Sequence, residues 1–219
     1  MVGNLMHRAV AETAAAVQSE LLLVTPFFIP GNAGMKIFAD LRARGANVRI
    51  LTNSLESTPE LAAHSGYMSY RLPLLEEGVE LYEVRELLGN AHGSGQTPAA
   101  TRSGNYALHA KLFVFDRKKV YIGSMNFDER SRILNTEVGL IIDSPELAQQ
   151  AAARFDAIVA PANSYRVVLQ ADGPGGTPHL YWRTEEGNRP VEYDVEPARS
   201  DWDRMKVEFL SLLPLKREL

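Results

Sequence analysis

The chain contains no cysteine, no long apolar run and no excess of positive charge. Without cysteine it has no disulfide framework, no thiolate nucleophile and no cysteine-bound metal. No stretch approaches the roughly 18 apolar residues that cross a bilayer. The N-terminal segment through Val17 lacks the apolar core of a signal peptide, because it carries His7, Arg8 and Glu12. The formal net charge of −4 gives no basic footprint for nucleic acid, so any phosphate site must be local.

Strand and helix patterns alternate along the 219 residues, which indicates a layered α/β domain. The sequence shows no internal repeat and no clear linker, and it predicts one domain over 1–219. Helices are predicted at 5–18, 35–44, 59–76, 145–160 and 201–213, with a bend or break at Pro73. Strands are predicted at 21–25, 48–52, 79–84, 108–115, 120–123, 136–143, 165–170, 180–183 and 191–194.

Residues 88–105 have no strand or helix pattern and are rich in glycine and polar residues. A loop of this length is uncommon inside a compact domain. We expect either a mobile functional loop or a disordered insertion. It leads directly into the segment that carries the chemistry.

That segment holds six polar or glycine identities within eighteen residues: His109, Lys111, Asp116, Gly123, Ser124 and Asn126. His109 and Lys111 are two residues apart in a predicted strand, so they point to the same face. A neutral His109 can attack phosphorus to form a phosphohistidine, while Lys111 binds the non-bridging oxygens. Ser124 and Asn126, predicted on a tight turn, offer a hydroxyl and an amide to the same oxygens.

Two carboxylates are counted with the catalytic set. Asp116 lies about 16 Å beyond Lys111 along an extended chain, which favours a structural role within the motif. Glu137 lies in the predicted apolar strand 136–143, where an unpaired carboxylate would be costly. We expect Glu137 to hold a ring nitrogen of His109, directly or within one polar cluster.

The other histidines, His7, His64, His92 and His179, have no comparable setting in the sequence. No spacing of histidine and carboxylate residues suggests a metal site. The sequence therefore predicts a metal-independent centre that needs no cofactor.

Written as H-x-K-x4-D-x6-G-S-x-N, the segment resembles the HKD signature of the phospholipase D superfamily and matches it at each position. Similarity to bacterial cardiolipin synthases of the phospholipase D type extends over nearly the whole chain. It is carried by TPFFIPG at 25–31, LTNSL at 51–55, HSGYMSYR at 64–71, DERS at 128–131, NTE at 135–137 and the tail around 196–197 and 212–214. In that family these segments belong to the second half of a protein roughly twice as long.

The resemblance implies a mixed β-sheet between helices, with His109 and Lys111 on a central strand, and a phosphatidylglycerol-like phospholipid as substrate. It supports the role given to Glu137, because phospholipase D-like nucleases carry a glutamate at a similar distance. Departures such as Glu129 in place of the family's proline remove no catalytic group. The implied location is the bacterial cytoplasm or the periphery of the inner membrane, with any anchor or targeting segment on a missing N-terminal part.

Two-motif members pair their motifs at a pseudo-two-fold axis, where one histidine attacks and the other acts as acid. This chain has one motif, so three functions are open. It is the C-terminal catalytic half of a cardiolipin synthase-like or phospholipase D-like enzyme, or a single-motif phosphodiesterase or nuclease that acts as a homodimer, or a non-catalytic lipid- or partner-binding remnant. A second motif-bearing half is the expected partner, and the acidic charge disfavours nucleic acid as substrate.

Overall fold

The computed structural model describes residues 3–87, 106–128, 131, 135–171 and 176–213, and the predicted loop 88–105 lies outside them. The helices of the described part are α1 (Gly3–Ala15), α2 (Gly31–Ala43), α3 (Leu61–Met68), α4 (Arg71–Glu76), α5 (Pro145–Ile158) and α6 (Asp201–Ser211). The strands are β1 (Glu20–Val24), β2 (Asn47–Asn53), β3 (Glu80–Val84), β4 (Leu112–Phe115), β5 (Lys119–Gly123), β6 (Gly139–Asp143), β7 (Ser164–Ala171), β8 (Pro178–Glu186) and β9 (Arg189–Tyr193).

Within the described residues, the strands form one nine-stranded sheet in the order β6-β5-β4-β1-β2-β3-β7-β8-β9. The neighbours β1, β2 and β3 are parallel, and the remaining neighbours are antiparallel. In β1, Leu21 and Leu23 pack toward the core beneath α1 and α2, while Leu22 and Val24 pack toward α5. This alternation follows from the period of two along a strand. The prediction of a mixed sheet between helices is confirmed.

The predicted helix 59–76 is two helices, and the break lies at Ser69 and Tyr70 rather than at Pro73. Pro73 sits in the first turn of α4, where a missing N–H is tolerated because that turn has no intrahelical acceptor for it. The first bond of α4 runs from the Leu74 amide to the Tyr70 carbonyl at 3.0 Å. The position predicted for the break was therefore wrong.

Two predicted strands begin later than expected. β4 starts at Leu112 rather than 108, because the amides of Tyr106 and Leu108 bond to Glu86 and Asn53 outside the β4 ladder. β6 starts at Gly139 rather than 136, because the Val138 amide bonds to a side-chain hydroxyl.

The predicted apolar strand at 136–143 forms β6, an outer strand of the sheet that the described residues form. Its residue Leu140 is 67% exposed, so the apolar pattern of this segment does not reflect burial.

Candidate active site

His109 and Lys111 lie in segment 106–111, immediately before β4. The Lys111 Nζ lies 3.3 Å from Nε2 and 3.4 Å from Nδ1 of the His109 ring, and it donates to the His109 carbonyl oxygen at 2.9 Å. The two predicted residues therefore come together, although neither lies within the strand. The His109 side chain is exposed whereas Lys111 is buried, so a substrate can reach the ring from solvent.

The pair lies at the sheet edge where the parallel strands end. Leu112, which follows Lys111, is paired with Val24, the last residue of β1. Open α/β sheets bind ligands outside the carboxyl ends of their parallel strands. The position of the His109–Lys111 pair agrees with that rule.

Asn53, the last residue of β2, holds the segment that carries His109. Its Oδ1 accepts from the Leu108 amide at 2.8 Å, and its Nδ2 donates to the carbonyl oxygens of Leu108 at 3.1 Å and Pro26 at 3.3 Å. Asn53 is 1% exposed, so these bonds are made away from water. Sequence reasoning gave Asn53 no role, and the only signal was an amide side chain at the end of an apolar strand.

The motif glycine is required by packing. A Cβ on Gly123 would lie 2.2 Å from the Tyr121 hydroxyl oxygen and 2.6 Å from the Val138 carbonyl oxygen. Gly123 is paired with Gly139, whose Cβ would also meet the Tyr121 ring, at 2.4 Å. The ring therefore lies across two facing glycines, and this contact fixes the point where the chain leaves β5 toward Ser124.

Phe127 anchors the loop that carries Asn126. Its ring centroid lies 5.5 Å from those of Phe28 and Phe38, and its carbonyl accepts from the Ile29 amide at 2.7 Å. The segment 25–31 thus supports the loop directly. The neighbouring Asn126 Oδ1 is buried and has no hydrogen-bond partner within the described residues. Such orphaned acceptors are rare, and a hydroxyl of a bound ligand would supply the missing donor.

Glu137 lies in the same cluster but does not hold His109 in this structure. Its carboxylate accepts from the Ser124 hydroxyl and, at 3.1 Å, from the Asn135 Nδ2. Neither Glu137 oxygen is hydrogen-bonded to the His109 ring, both residues being among those described. The Ser124 Oγ also accepts from the Val138 amide at 3.0 Å, so both functions of this hydroxyl are engaged.

The electrostatics of the cluster centre on Lys111. Burial lowers the pKa of Lys111 below its ordinary value, and the negative charges of Glu137 and Asp128 oppose this only in part. An additional anion beside Nζ would favour the ammonium form further. The site is therefore suited to an anionic group placed beside Lys111 and His109.

Comparison with known proteins decides the family. Residues 10–159 match the family described as "Cardiolipin synthase, PLD-like domain". The chain belongs to this phospholipase D-like family. Cardiolipin synthase C of Escherichia coli (strain K12) is 33% identical over 216 residues, which cover 97% of this chain and 44% of that protein. An uncharacterized protein of Helicobacter pylori (strain ATCC 700392 / 26695) is 29% identical over 202 residues, covering 92% of this chain and 38% of its own length. This phospholipase D-like chain thus spans less than half the length of these two relatives.

Three solved structures share the fold. Nuc from Salmonella typhimurium, a phospholipase D family member, has a TM-score of 0.53 at 17% identity, covering 68% of this chain and 84% of its own. NucT from Helicobacter pylori has a TM-score of 0.55 at 16% identity, covering 74% and 91%. Phosphatidylserine synthase of Haemophilus influenzae Rd KW20 has a TM-score of 0.57 at 16% identity, covering 74% and 36%.

Asp116 lies at the opposite end of β4 from Lys111. Its carboxylate accepts from the amides of Ser19 at 2.7 Å, Gln18 at 3.0 Å and Glu20 at 3.0 Å. Burial alone would raise the pKa of Asp116, but these hydrogen bonds outweigh burial and lower it. Asp116 has φ +52°, a conformation that aspartate tolerates better than most residues. It fixes the start of β1 and does not touch the cluster around His109.

A buried ionic network, which sequence reasoning missed, lies on the side of the sheet that carries α3 and α4. Arg71 donates to Glu83 at 2.8 Å and to Glu196 at 2.9 Å, and the His64 Nε2 lies 2.6 Å from a Glu196 oxygen. Burial would lower the pKa of Arg71, but the two carboxylates raise it, and Arg71 and His64 in turn lower the pKa of Glu196. The available signal was the seven-residue spacing of His64 and Arg71, which places both side chains on the same face of a helix.

The described residues contain no group of three histidine or carboxylate side chains placed to hold a metal ion. The expectation of a metal-independent centre remains a prediction. No helix in the described part of the chain is long and apolar enough to span a membrane.

Proposed function

We propose that residues 1–219 act as one phospholipase D-like catalytic half, of the type found in the second half of cardiolipin synthases, in phosphatidyl transfer or phosphodiester hydrolysis on phosphatidylglycerol-like lipids. The observation that supports this most is the contact of the Lys111 ammonium with both ring nitrogens of His109, at 3.3 and 3.4 Å. A nucleophile and a cation for the phosphoryl oxygens are thereby held within one substrate's reach.

In the proposed reaction a neutral His109 nitrogen attacks phosphorus, and a P–N bond forms as the P–O bond to the leaving alcohol breaks. Lys111 and the Asn126 amide bind the non-bridging oxygens. Ser124 joins them when its hydroxyl stops donating to the Glu137 carboxylate and donates to a phosphoryl oxygen instead. The leaving oxygen takes a proton from an acid, and water or an acceptor alcohol then cleaves the P–N bond, its proton passing to the same group.

The acid is proposed to come from a second motif-bearing half. Three apolar side chains beside Ser124 and Glu137 form the β6 edge patch, which we define as Ile122, Val138 and Leu140. They are 43%, 74% and 67% exposed, and Ile122 is paired directly with Leu140. Exposed apolar residues in contact with one another mark interaction surfaces. This patch supports docking of the second half next to His109.

Trapping the covalent intermediate tests the reaction. The chain, in an active assembly with a second motif-bearing half, is incubated with phosphatidylglycerol labelled with ³²P in its phosphate and quenched in alkaline detergent, in which phosphohistidine survives. Label is expected on the wild-type chain and absent from His109→Ala. His179→Ala, which removes an exposed histidine of β8, should be labelled like the wild type. Equal labelling of His109→Ala and the wild type would contradict the proposal.

A self-contained homodimer is the second candidate, and the same β6 edge patch favours it, because an edge strand can pair with its own copy. Leu140→Asp should then shift sedimentation from dimer to monomer and reduce turnover together. Unchanged turnover by a demonstrated monomer would rule this candidate out, since one histidine would have to serve as both nucleophile and acid.

A further inference from the structure

Helix α6 presents its large apolar side chains to solvent. Trp202, Met205, Phe209 and Leu212, here called the α6 stripe, are 61%, 58%, 63% and 82% exposed. Their spacings of three, four and three place them on one helical face. Val207, five residues from Trp202, points the other way and is fully buried. Helix α6 thus packs on the protein through the face that carries Val207, while the α6 stripe is exposed to solvent.

The start of α6 is tied to the sheet edge that carries His109. Arg199, just before the helix, donates to the Glu86 carboxylate at 2.8 Å. The Glu86 carbonyl accepts from the Tyr106 amide at 2.9 Å, three residues before His109. Helix α6 therefore begins at the end of the sheet where the candidate active site lies.

The α6 stripe is separate from the β6 edge patch. Helix α6 packs against α3, and Tyr67 of α3 donates to Glu83 on β3 at 2.9 Å. β3 lies five strands from β6 in the sheet order, which corresponds to about 24 Å. The second catalytic half would thus cover the patch and leave the stripe open.

From this geometry we infer that the α6 stripe docks the protein on the interfacial region of a phospholipid bilayer. The inference rests on the proposed action on phospholipids, because a bilayer that delivers its phosphodiester to His109 must approach the edge where α6 begins. The side chains suit that surface: tryptophan concentrates at the membrane–water boundary, and phenylalanine and the aliphatic side chains enter the acyl region. The Lys206 ammonium lies beside the stripe, 5.4 Å from the Trp202 ring, and is paired with the Asp203 carboxylate at 3.4 Å.

Tryptophan fluorescence gives a direct test. The chain has two tryptophans. Trp182 is 5% exposed and donates to Glu83 at 2.9 Å, so a change on lipid addition reports Trp202. Vesicles of equal phosphatidylcholine and phosphatidylglycerol should shift the emission to shorter wavelength. Brominated phosphatidylcholine in the same vesicles should quench it.

Replacing Met205 and Phe209 together by serine keeps the Trp202 reporter. This double variant should lower vesicle affinity about tenfold or more, because two apolar side chains no longer leave water. Leu5→Ser is the matched control, since Leu5 is 66% exposed on α1. It should bind like the wild type, and circular dichroism checks the fold of all variants.

Wild-type emission that vesicles do not change, or equal affinity of the double variant, would overturn the inference. So would a lipid-independent blue shift that grows with protein concentration alongside a dimer in sedimentation, because the stripe would then bind a second copy. If the protein turns over detergent-dispersed phosphatidylglycerol but does not bind vesicles, the docking inference is wrong and the proposed chemistry stands. If it binds vesicles but His109 is not labelled, the proposed chemistry is wrong and the docking inference stands.

Discussion

The side chain of Asn53 bonds to both backbone groups of Leu108: its Oδ1 accepts from the amide at 2.8 Å and its Nδ2 donates to the carbonyl at 3.1 Å. The end of β2 is thereby joined to the residue next to His109. The Leu108 amide and carbonyl, which lie outside the β-sheet ladder, find their hydrogen-bond partners in this side chain. The position of the candidate nucleophile thus depends on a residue 56 positions earlier in the chain.

We expect Asn53→Asp to impair turnover more than it impairs stability. Aspartate can still accept from the Leu108 amide but cannot donate to its carbonyl, so the segment is held on one side only. The loss of stability should be about 1–3 kcal/mol, typical of a buried group left without its partner. Turnover and thermal unfolding, measured in an active assembly, check this.

Asn163→Ala is the matched control for that variant. Asn163 is also buried and donates to the Ala157 carbonyl at 2.9 Å, near the start of β7. It should lose stability while turnover per folded molecule is kept. Equal loss of turnover in both variants would mean that Asn53 acts only through general stability.

Gly34→Ala should displace the loop that carries Asn126. A Cβ at position 34 would lie 2.8 Å from the Phe127 ring and 2.8 Å from the Pro30 Cβ, closer than van der Waals contact allows. Overpacking of this kind costs about 1–3 kcal/mol. Phosphate affinity and thermal stability should both fall. Adding Phe127→Leu removes the ring and should recover part of the phosphate affinity; if it recovers none, the effect does not pass through Phe127.

The sequence was sufficient for elements whose structure depends on nearby residues. The start of α5 is an example, because Ser144 accepts from the Leu147 amide at 3.2 Å, as its position before Pro145 predicts. The strand β1 was also predicted, since its apolar run is buried on both faces. In both cases the residues that determine the element lie within a few positions of it in the sequence.

Features that depend on distant residues could not be predicted. Arg71 and Glu196 are 125 positions apart, and nothing in either segment specifies the other. The apolar β6 residue Leu140 has the same sequence pattern as a buried strand, although it lies at an open edge. A direct bond from Glu137 to the His109 ring was one of the two arrangements expected, yet the hydroxyl of Ser124 competes for this carboxylate.

Acid should weaken the fold through Glu196. Arg71 and His64 hold the pKa of Glu196 below its ordinary value, against the opposing effect of burial. A lowered carboxyl pKa stabilises the fold fully above the unfolded value of about 4.3, and this contribution is lost as the pH falls through the folded pKa. Glu196→Gln should lower stability at pH 7 by about 3–5 kcal/mol and flatten the fall below pH 4.3. Urea unfolding between pH 2.5 and 7 measures both.

The matched control for Glu196 is Glu192→Gln. Glu192 pairs with Arg183 at the surface, where both side chains are more than 40% exposed, so its removal should change stability little. A pH profile for Glu196→Gln that is as steep as the wild type would place the acid sensitivity elsewhere.

Inorganic phosphate should bind beside His109 and compete with salt, because the Lys111 ammonium lies 3.3 Å from the His109 ring and can donate to a phosphate oxygen. We expect a shift of the His109 ring resonances at millimolar phosphate, followed by NMR. Since burial lowers the pKa of Lys111, phosphate affinity should decline at a lower pH than an exposed lysine would allow, as the ammonium loses its proton. Lys111→Met should abolish the shift, while Lys118→Met, which alters an exposed lysine at the far end of β4, should leave it intact. Wild-type resonances that stay unchanged up to tens of millimolar phosphate, with the fold intact, would favour a non-catalytic binding role.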